Sequence, residues 1–266
     1  VSGDFIGYNM TNPAFESLES QPVTTRRVLP IYPLTAGLSN AAMLKAVRQA
    51  LVERHPRESY TLATKLNAWM QCHDEESAKQ QFYTSLERTG AGYFDFYLLH
   101  ALMENNYKKY DRFGIWDFVK DAKAKGLVRA IGLSTHHVDI TKAAASMTDL
   151  DVVFPLINYA GLGIRKGDTF ATKEEMMEAI RKCHLAGKGI FSMKAFGGGS
   201  LTGHYQEALD YVFSKPEIDS VMIGFGKIAE VDDLLSYLGG SMAKTYNPDI
   251  SKKKVYINQE DCEGCG

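Results

Sequence analysis

The sequence predicts an α/β fold, a (β/α)8 TIM-barrel-like domain of which six βα units are recognisable. From residue 58 onward, short runs rich in β-forming residues alternate with helical stretches. The strand candidates end 24 to 37 residues apart, which leaves room each time for a crossover helix and two loops. This alternation predicts a parallel sheet that is buried on both faces. The length of 266 residues suits one such barrel, which typically takes about 250 residues.

Each strand candidate is a short run of β-branched, aromatic and other apolar residues. The six candidates are Tyr60–Lys65, Phe94–His100, Ala130–Ser134, Val152–Asn158, Ile190–Ala195 and Val221–Gly224.

The helices between the strands are predicted from apolar spacing and from end signals. Trp116–Ala124 is followed by Gly126 as a helix stop, and Thr172 with Glu175 predicts a capping box for Glu174–Leu185. Three further apolar stripes predict helices, namely Ala78, Phe82 and Leu86, then Leu209, Val212 and Phe213, then Val231, Leu234, Leu235 and Leu238.

Two of the eight strands have no candidate after residue 58, so the first 57 residues must supply them if the barrel is complete. We expect residues 1–50 to form an atypical N-terminal segment in place of the first two strands. Residues 51–250 are expected to form the barrel and residues 251–266 a cysteine-containing tail. The sequence stops on Cys262-Glu-Gly-Cys265-Gly266, where we expect it to be truncated.

Composition excludes several classes of protein. The formal net charge is −2 and the pI about 6.4, so no global basic field indicates nucleic acid as a partner. No apolar run of eighteen residues predicts a membrane span, and no signal peptide opens the sequence. Four cysteines do not make a disulfide framework, so we expect a cytoplasmic protein.

Two candidate catalytic residues lie where strands end. In a parallel α/β barrel the active site lies at the carboxyl ends of the strands, which selects Lys65 and His100. A lysine there can stabilise a developing oxyanion, and a histidine can donate a hydrogen bond to a carbonyl oxygen. The alternatives are a lysine that extends to the surface and a hydrogen-bonded core histidine.

The same rule selects further strand-end residues. Ser134, Thr135, His136 and His137 follow one strand, Asn158 closes the next, and Lys194 precedes Gly197, Gly198 and Gly199. Glycines let the backbone approach a phosphate closely, and Lys227 after Gly226 adds a positive charge. The alternative is a set of loop glycines with one surface lysine. No GxGxxG motif follows a strand, so a Rossmann site is not predicted.

Cys262 and Cys265 have the spacing of metal ligands. A complete iron–sulfur or zinc site needs four ligands, and the sequence ends before a third nearby cysteine. The pair is therefore either part of a metal site completed elsewhere or free of metal.

These motifs together resemble the aldo-keto reductases, which are (β/α)8 carbonyl reductases that use NADP(H). The matching stretches appear in family order from about residue 50 to the end. They are SYTLATKL, YFDFYLLH, GLVRAIGLSTHH, INY, GIFSMKAFGGGSL and SVMIGFGKIAEVDDLL. The terminal DCEGCG is similar to the start of the ferredoxin-type cysteine cluster of one branch, so an iron–sulfur cluster would require residues beyond this chain end.

The resemblance implies a role for each matching position. Lys65 and His100 would be the catalytic lysine and histidine, acting on a small carbonyl substrate. The cofactor-binding positions would be Ser134, Thr135 and Asn158 at the nicotinamide, Lys194 beside them, Gly197, Gly198, Gly199 and Leu201 along the pyrophosphate, and Gly226, Lys227 and Asp233 at the adenosine phosphate.

Two members of the family's catalytic tetrad have no counterpart in this sequence. The family's Asp and Tyr come from a D-T-A-x-x-Y-G stretch before the lysine strand, and no such stretch occurs here. Tyr32 is the candidate replacement upstream, but we do not assign it that role. Because the tyrosine supplies the acid, hydride transfer should be severely slowed. The alternatives are thus an impaired oxidoreductase and a non-catalytic barrel.

The first 51 residues resemble a different protein. MTNPAFESLES, RRVLPIYPLTAGLSN and LKAVRQAL are similar to the wedge domain of branch-migrating DNA helicases of the RecG type. No Walker A motif occurs, so ATP-driven helicase activity is not implied. DNA binding through residues 1–51 is a further alternative. A natural fusion, an assembly artefact and a deliberate chimera all fit a junction near Ala46–His55.

Overall fold

The computed structural model describes residues 28–31, 48–66, 74–100, 114–225 and 228–240. Within these ranges the main sheet has seven parallel strands. They are β1 (Val28–Ile31), β2 (Thr61–Leu66), β3 (Phe94–Leu99), β4 (Val128–Thr135), β5 (Val152–Pro155), β8 (Gly189–Ser192) and β9 (Ser220–Val221). They pair in chain order, which is the strand order of a (β/α) barrel. A short antiparallel hairpin, β6 (Arg165–Lys166) with β7 (Thr169–Phe170), follows β5.

The described α-helices alternate with the strands after β2. They are α1 (Glu75–Thr89), α2 (Ile115–Ala124), α3 (Val138–Ala144), α4 (Lys173–Leu185), α5 (Tyr205–Phe213) and α6 (Ile228–Leu238). The capping box of Thr172 and Glu175 opens α4 as predicted, and Gly126 ends α2 with a positive φ of 75°. Asp74 and Ser77 form a second capping box, at α1. None of the helices in the described ranges is long and apolar enough to cross a membrane.

Two aromatic clusters occupy opposite faces of the sheet. Phe82 of α1 meets Tyr97 of β3 and Phe118 of α2, with ring centroids 4.9 and 5.6 Å apart. Phe96, the neighbour of Tyr97, points to the other face and stacks on Phe191 of β8 at 5.4 Å. β4 and β5 lie between β3 and β8, which would be roughly 14 Å apart in a flat sheet. The sheet is therefore strongly curled, with the helices outside and Phe96 and Phe191 inside.

Aspartates at the amino end of the sheet repeat one contact. The carboxylates of Asp95, Asp151 and Asp219 accept hydrogen bonds from the backbone N–H groups of the preceding strands at 2.7 to 2.8 Å. Asp95 also binds Arg57 at 2.7 Å and Arg129 at 3.0 Å. These contacts join neighbouring strands at the amino end of the sheet. In a barrel this end lies opposite the active site, so the contacts stabilise the fold.

The first strand comes from the N-terminal segment, which the sequence requires to supply the strands missing from the barrel. β1 pairs in parallel with β2 from Val28 opposite Thr61 to Ile31 opposite Thr64. The N-terminal segment thus supplies a strand of the sheet. The two later apolar stripes predict helices that the structure confirms as α5 and α6, although Phe213, Leu235 and Leu238 are 42%, 45% and 50% exposed.

Candidate active site

Lys65 lies near the carboxyl end of β2 and points into the curled sheet. Its side chain is buried, with 1% exposed, and its Nζ lies 4.4 Å from the ring centroid of Phe154 on β5. Burial, with the nearby charge of Lys194 as a second cause, holds the pKa of Lys65 well below its usual value. The predicted alternative of a lysine that extends to the surface is therefore wrong.

His100 follows β3 directly and lies close to the end of β4. Its backbone N–H donates to the carbonyl of Leu66 at 3.0 Å, and its Nδ1 lies 2.9 Å from the hydroxyl of Ser134. Burial is the main cause that lowers the pKa of His100, followed by the charges of Lys65, His136 and Lys194. The imidazole is therefore neutral near pH 7.

The end of β4 contributes two buried hydroxyls, those of Ser134 and Thr135. The Thr135 hydroxyl accepts a hydrogen bond from the N–H of His137 at 3.0 Å, which fixes the turn after the strand. Of these two, the structure brings Ser134 into direct contact with a predicted catalytic residue.

His136 is a further member of the site, although its role was not predicted. Burial and, next, the charge of Lys194 lower the pKa of His136 to about 3, with smaller effects of Lys65, His137 and Arg165. The signal in the sequence was its position two residues after Ser134, at a strand end. What the sequence could not show is that two lysines from other strand ends, Lys65 and Lys194, act on its pKa.

Asn158 is buried near the end of β5, and its amide closes a turn. Nδ2 donates to the carbonyl of Leu162 and Oδ1 accepts from the N–H of the same residue, both at 2.9 Å. Asn158 therefore orders the loop before the β6–β7 hairpin.

Lys194 and the glycines after β8 form a tight turn. Lys194 has a φ of 58°, in the left-handed region. Gly197–Gly199 form a 3-10 turn with φ values of 55°, 71° and 107°. A Cβ at Gly197 would lie 3.1 Å from Leu201, whereas a Cβ at Gly198 or Gly199 would meet nothing within 4 Å. The turn is thus packed on one side and open at its tip.

The remaining candidate positions are Asp233 and five residues outside the described ranges. Asp233 lies on α6, in the second turn of the helix. Gly226, Lys227, Cys262, Cys265 and Tyr32 lie outside the described residues.

We expect acid to unfold the protein through His136 and His100. Because the pKa of each is lower in the folded than in the unfolded chain, the unfolded state binds more protons below about pH 6.5. Stability should fall from about pH 6.5 towards about pH 3, the pKa of His136, by up to about 1.4 kcal/mol per pH unit from this histidine, and His100 adds to the fall. His136→Phe should make this slope shallower in urea unfolding at a series of pH values. The exposed His184→Phe is the control, and parallel curves for wild type and His136→Phe would contradict the assignment.

Comparison with known proteins shows the family and the fold of this chain. The chain belongs to the aldo/keto reductase family, whose model matches residues 31–216. Residues 1–53 match the RecG wedge domain, and this second match contains β1. The family match begins at the last residue of β1, so the two matches overlap over residues 31–53, before the lysine strand β2.

Individual relatives support the family and the fold. The chain is 25% identical over 170 residues to the uncharacterized oxidoreductase YtbE of Bacillus subtilis, an alignment that covers 62% of this chain and 53% of that protein. The chain thus spans about half the length of this relative. It shares the fold of the aldo-keto reductase AKR11C1 from Bacillus halodurans in its holo form, with a TM-score of 0.61 and 15% identity over 85% of this chain and 79% of that one. PA4992 from Pseudomonas aeruginosa gives a TM-score of 0.59 and 16% identity over 77% and 74%.

Proposed function

We propose that the protein is an NADP(H)-dependent oxidoreductase that interconverts a small carbonyl compound and its alcohol, at a reduced rate. The observation that supports this most is the meeting of Lys65, His100 and Ser134 from three consecutive strands in a chain of the aldo/keto reductase family. The reduced rate follows from the missing D-T-A-x-x-Y-G stretch, which supplies the acid in the family.

The glycine turn after β8 fits the phosphates of NADP(H). The backbones of Gly198 and Gly199 are exposed, and the space where side chains would stand is open. The N-terminus of α5 follows within six residues and is the positive end of a helix dipole. Gly197, Gly198, Gly199 and Leu201 would therefore hold the pyrophosphate, and Ser134 the nicotinamide end. The bound cofactor would supply the hydride.

His100 is suited to orient and polarise the carbonyl group. Neutral imidazole carries one ring proton, and if Ser134 donates to Nδ1, that proton lies on Nε2. Nε2 can then donate a hydrogen bond to the carbonyl oxygen of the substrate. The charge of Lys65 also acts on His100, and when Lys65 is protonated it would favour a developing alkoxide there.

We expect His100→Ala to reduce turnover by about 100-fold, since general acid–base groups contribute about 10²–10⁴-fold. The measurement follows NADPH absorbance with a panel of small aldehydes, and His184→Ala, on the exposed end of α4, is the matched control. If His100→Ala and wild type oxidise NADPH at the same measurable rate, His100 has no catalytic role.

A non-catalytic barrel is the second candidate function, and the position of β1 favours it. A strand from the segment that matches the RecG wedge domain pairs with the lysine strand, in a sequence without the family's Asp and Tyr stretch. This candidate requires a stable fold without turnover for any aldehyde. Measurable NADPH oxidation that depends on His100 would exclude it. DNA binding through residues 1–51 stays a prediction, which a gel shift at low salt would test.

A further inference from the structure

The β6–β7 hairpin lies at the carboxyl end of the sheet, beside the loop that follows β4. The backbone N–H of Arg165 donates to the carbonyl of His136 at 2.9 Å, and Arg165 forms a β-bridge with His137. Arg165 and Phe170 are opposite each other in the hairpin, so their side chains share one face. The guanidinium lies 4.7 Å from the centroid of the Phe170 ring. The hairpin thus holds a cation next to the candidate active site.

His136, Arg165 and Lys194 form a basic rim at this end of the sheet. Burial is the main cause that lowers the pKa of His136, and the charges that lower it further belong to Lys194, Lys65, His137 and Arg165. The electrostatic potential at His136 is therefore positive and favours the binding of an anion. The three residues of the basic rim are partly exposed, whereas Lys65 is buried, so the rim is in contact with solvent.

We propose that the substrate carries a carboxylate group besides its carbonyl group, and that Arg165 and His136 bind this carboxylate while Lys194 adds its charge. This inference rests on the proposed function and names its substrate class, a small oxo acid. A planar guanidinium binds a carboxylate through two parallel hydrogen bonds. Neutral imidazole donates a further hydrogen bond through its ring N–H.

The carbonyl group of the oxo acid lies at His100. β3 and β4, which His100 and His136 follow, are neighbours in the sheet. Neighbouring strands are about 4.8 Å apart, so a chain of about four carbons reaches from one strand end to the next. One end of such a molecule is then reduced while the other end is held by the basic rim.

A substrate carboxylate fits this position better than a phosphate of the cofactor. The proposed phosphate site is the glycine turn after β8, whereas His136 follows β4 and Arg165 lies in the hairpin after β5. β4 is next to β3 and is separated from β8 by β5. The His136 side of the rim is thus nearer to the contact of His100 with Ser134 than to the glycine turn.

The first experiment measures binding to the full chain without nucleotide. Succinate is the probe, and succinamide, which has the same length and no charge, is its control. Titration calorimetry at constant ionic strength should show saturable binding of millimolar succinate and no binding of succinamide. Arg165→Met should weaken succinate binding at least about tenfold, because hydrogen bonds to charged groups are lost. Arg88→Met, an exposed residue in the last turn of α1, should leave it unchanged. Equal binding of succinate and succinamide, or equal affinity in wild type and Arg165→Met, would overturn the proposal.

Inorganic phosphate is the second probe, because the same charges attract a phosphate of the cofactor. Succinate should bind at least as tightly as phosphate. If phosphate binds more tightly and Arg165→Met weakens the binding of phosphate alone, the basic rim belongs to the cofactor and the proposal is wrong.

The second experiment compares an aldehyde acid with a matched neutral aldehyde in NADPH oxidation. kcat/KM should be at least about tenfold higher for 4-oxobutanoate than for butanal, and this ratio should fall towards one in Arg165→Met. Turnover of butanal without a preference for 4-oxobutanoate supports the proposed function and contradicts the substrate class. Succinate binding that depends on Arg165, without turnover of either aldehyde, supports the carboxylate site and contradicts the proposed function.

Discussion

Lys65→Met is expected to stabilise the protein while it abolishes carbonyl reduction. Near neutral pH the unfolded chain carries a protonated lysine, whereas burial and Lys194 disfavour that charge in the folded state. Methionine has a similar length and no charge, so the free energy of unfolding should rise. Urea unfolding at pH 7 measures this difference.

The pH dependence of the gain distinguishes this cause from better packing. The pKa of Lys65 is lower in the folded than in the unfolded state, so folding is penalised below the unfolded pKa of about 10.5. Above about pH 10.5 both states are uncharged and the advantage of Lys65→Met should vanish. The exposed Lys182→Met should stay within about 0.5 kcal/mol of wild type at each pH. A loss of stability in Lys65→Met at all pH values would contradict this account.

Asp95→Ala should destabilise the protein by about 3–5 kcal/mol, the cost of removing one partner from a buried ion pair. The Asp95 carboxylate is buried and accepts hydrogen bonds from the N–H of Leu62, from Arg57 and from Arg129. The substitution leaves a buried N–H without its acceptor and Arg57 against the ring of Tyr93, 3.7 Å away, without its carboxylate. Thermal or urea unfolding gives the difference.

The matched control is Asp149→Ala, because Asp149 is exposed and its ion pair with Lys120 spans 3.8 Å. Such a surface pair contributes about 0–1 kcal/mol. Equal effects of Asp95→Ala and Asp149→Ala would contradict the structural role of the contacts at the amino end of the sheet.

The parallel sheet could be predicted because each strand is marked locally. Runs such as FDFYLL and VRAIGLST are rich in β-forming residues, and helices such as α4 begin with a capping box. How much of each apolar helix face is buried could be predicted less well from the sequence. Phe213 and Leu235 are apolar at helical spacing yet stay half exposed, because spacing gives the direction of a face and not the width of the surface it packs against.

The site was predictable only in part. Lys65, His100 and Ser134 could be predicted because active sites of barrels lie at the carboxyl ends of the strands. This rule applies to each residue without knowledge of its partners. The contact between His100 and Ser134 spans 34 residues, and the effect of Lys194 on Lys65 spans 129, so no local pattern contains them. The pairing of β1 with β2 was hidden for a similar reason, and Pro30 within β1 is atypical of a strand interior.

Binding of NADPH to the full chain tests the central claim. This claim is that Ser134 and the glycine turn after β8 form a cofactor site at the carboxyl ends of the strands. Titration calorimetry should show saturable binding, and Gly198→Val should weaken it by at least about tenfold, because valine strongly disfavours a positive φ and fills the open tip of the turn. Gly126→Val is the control, with a φ of 75° and the same open space at the end of α2. No binding at millimolar NADPH, or equal affinity in wild type and Gly198→Val, would contradict the account.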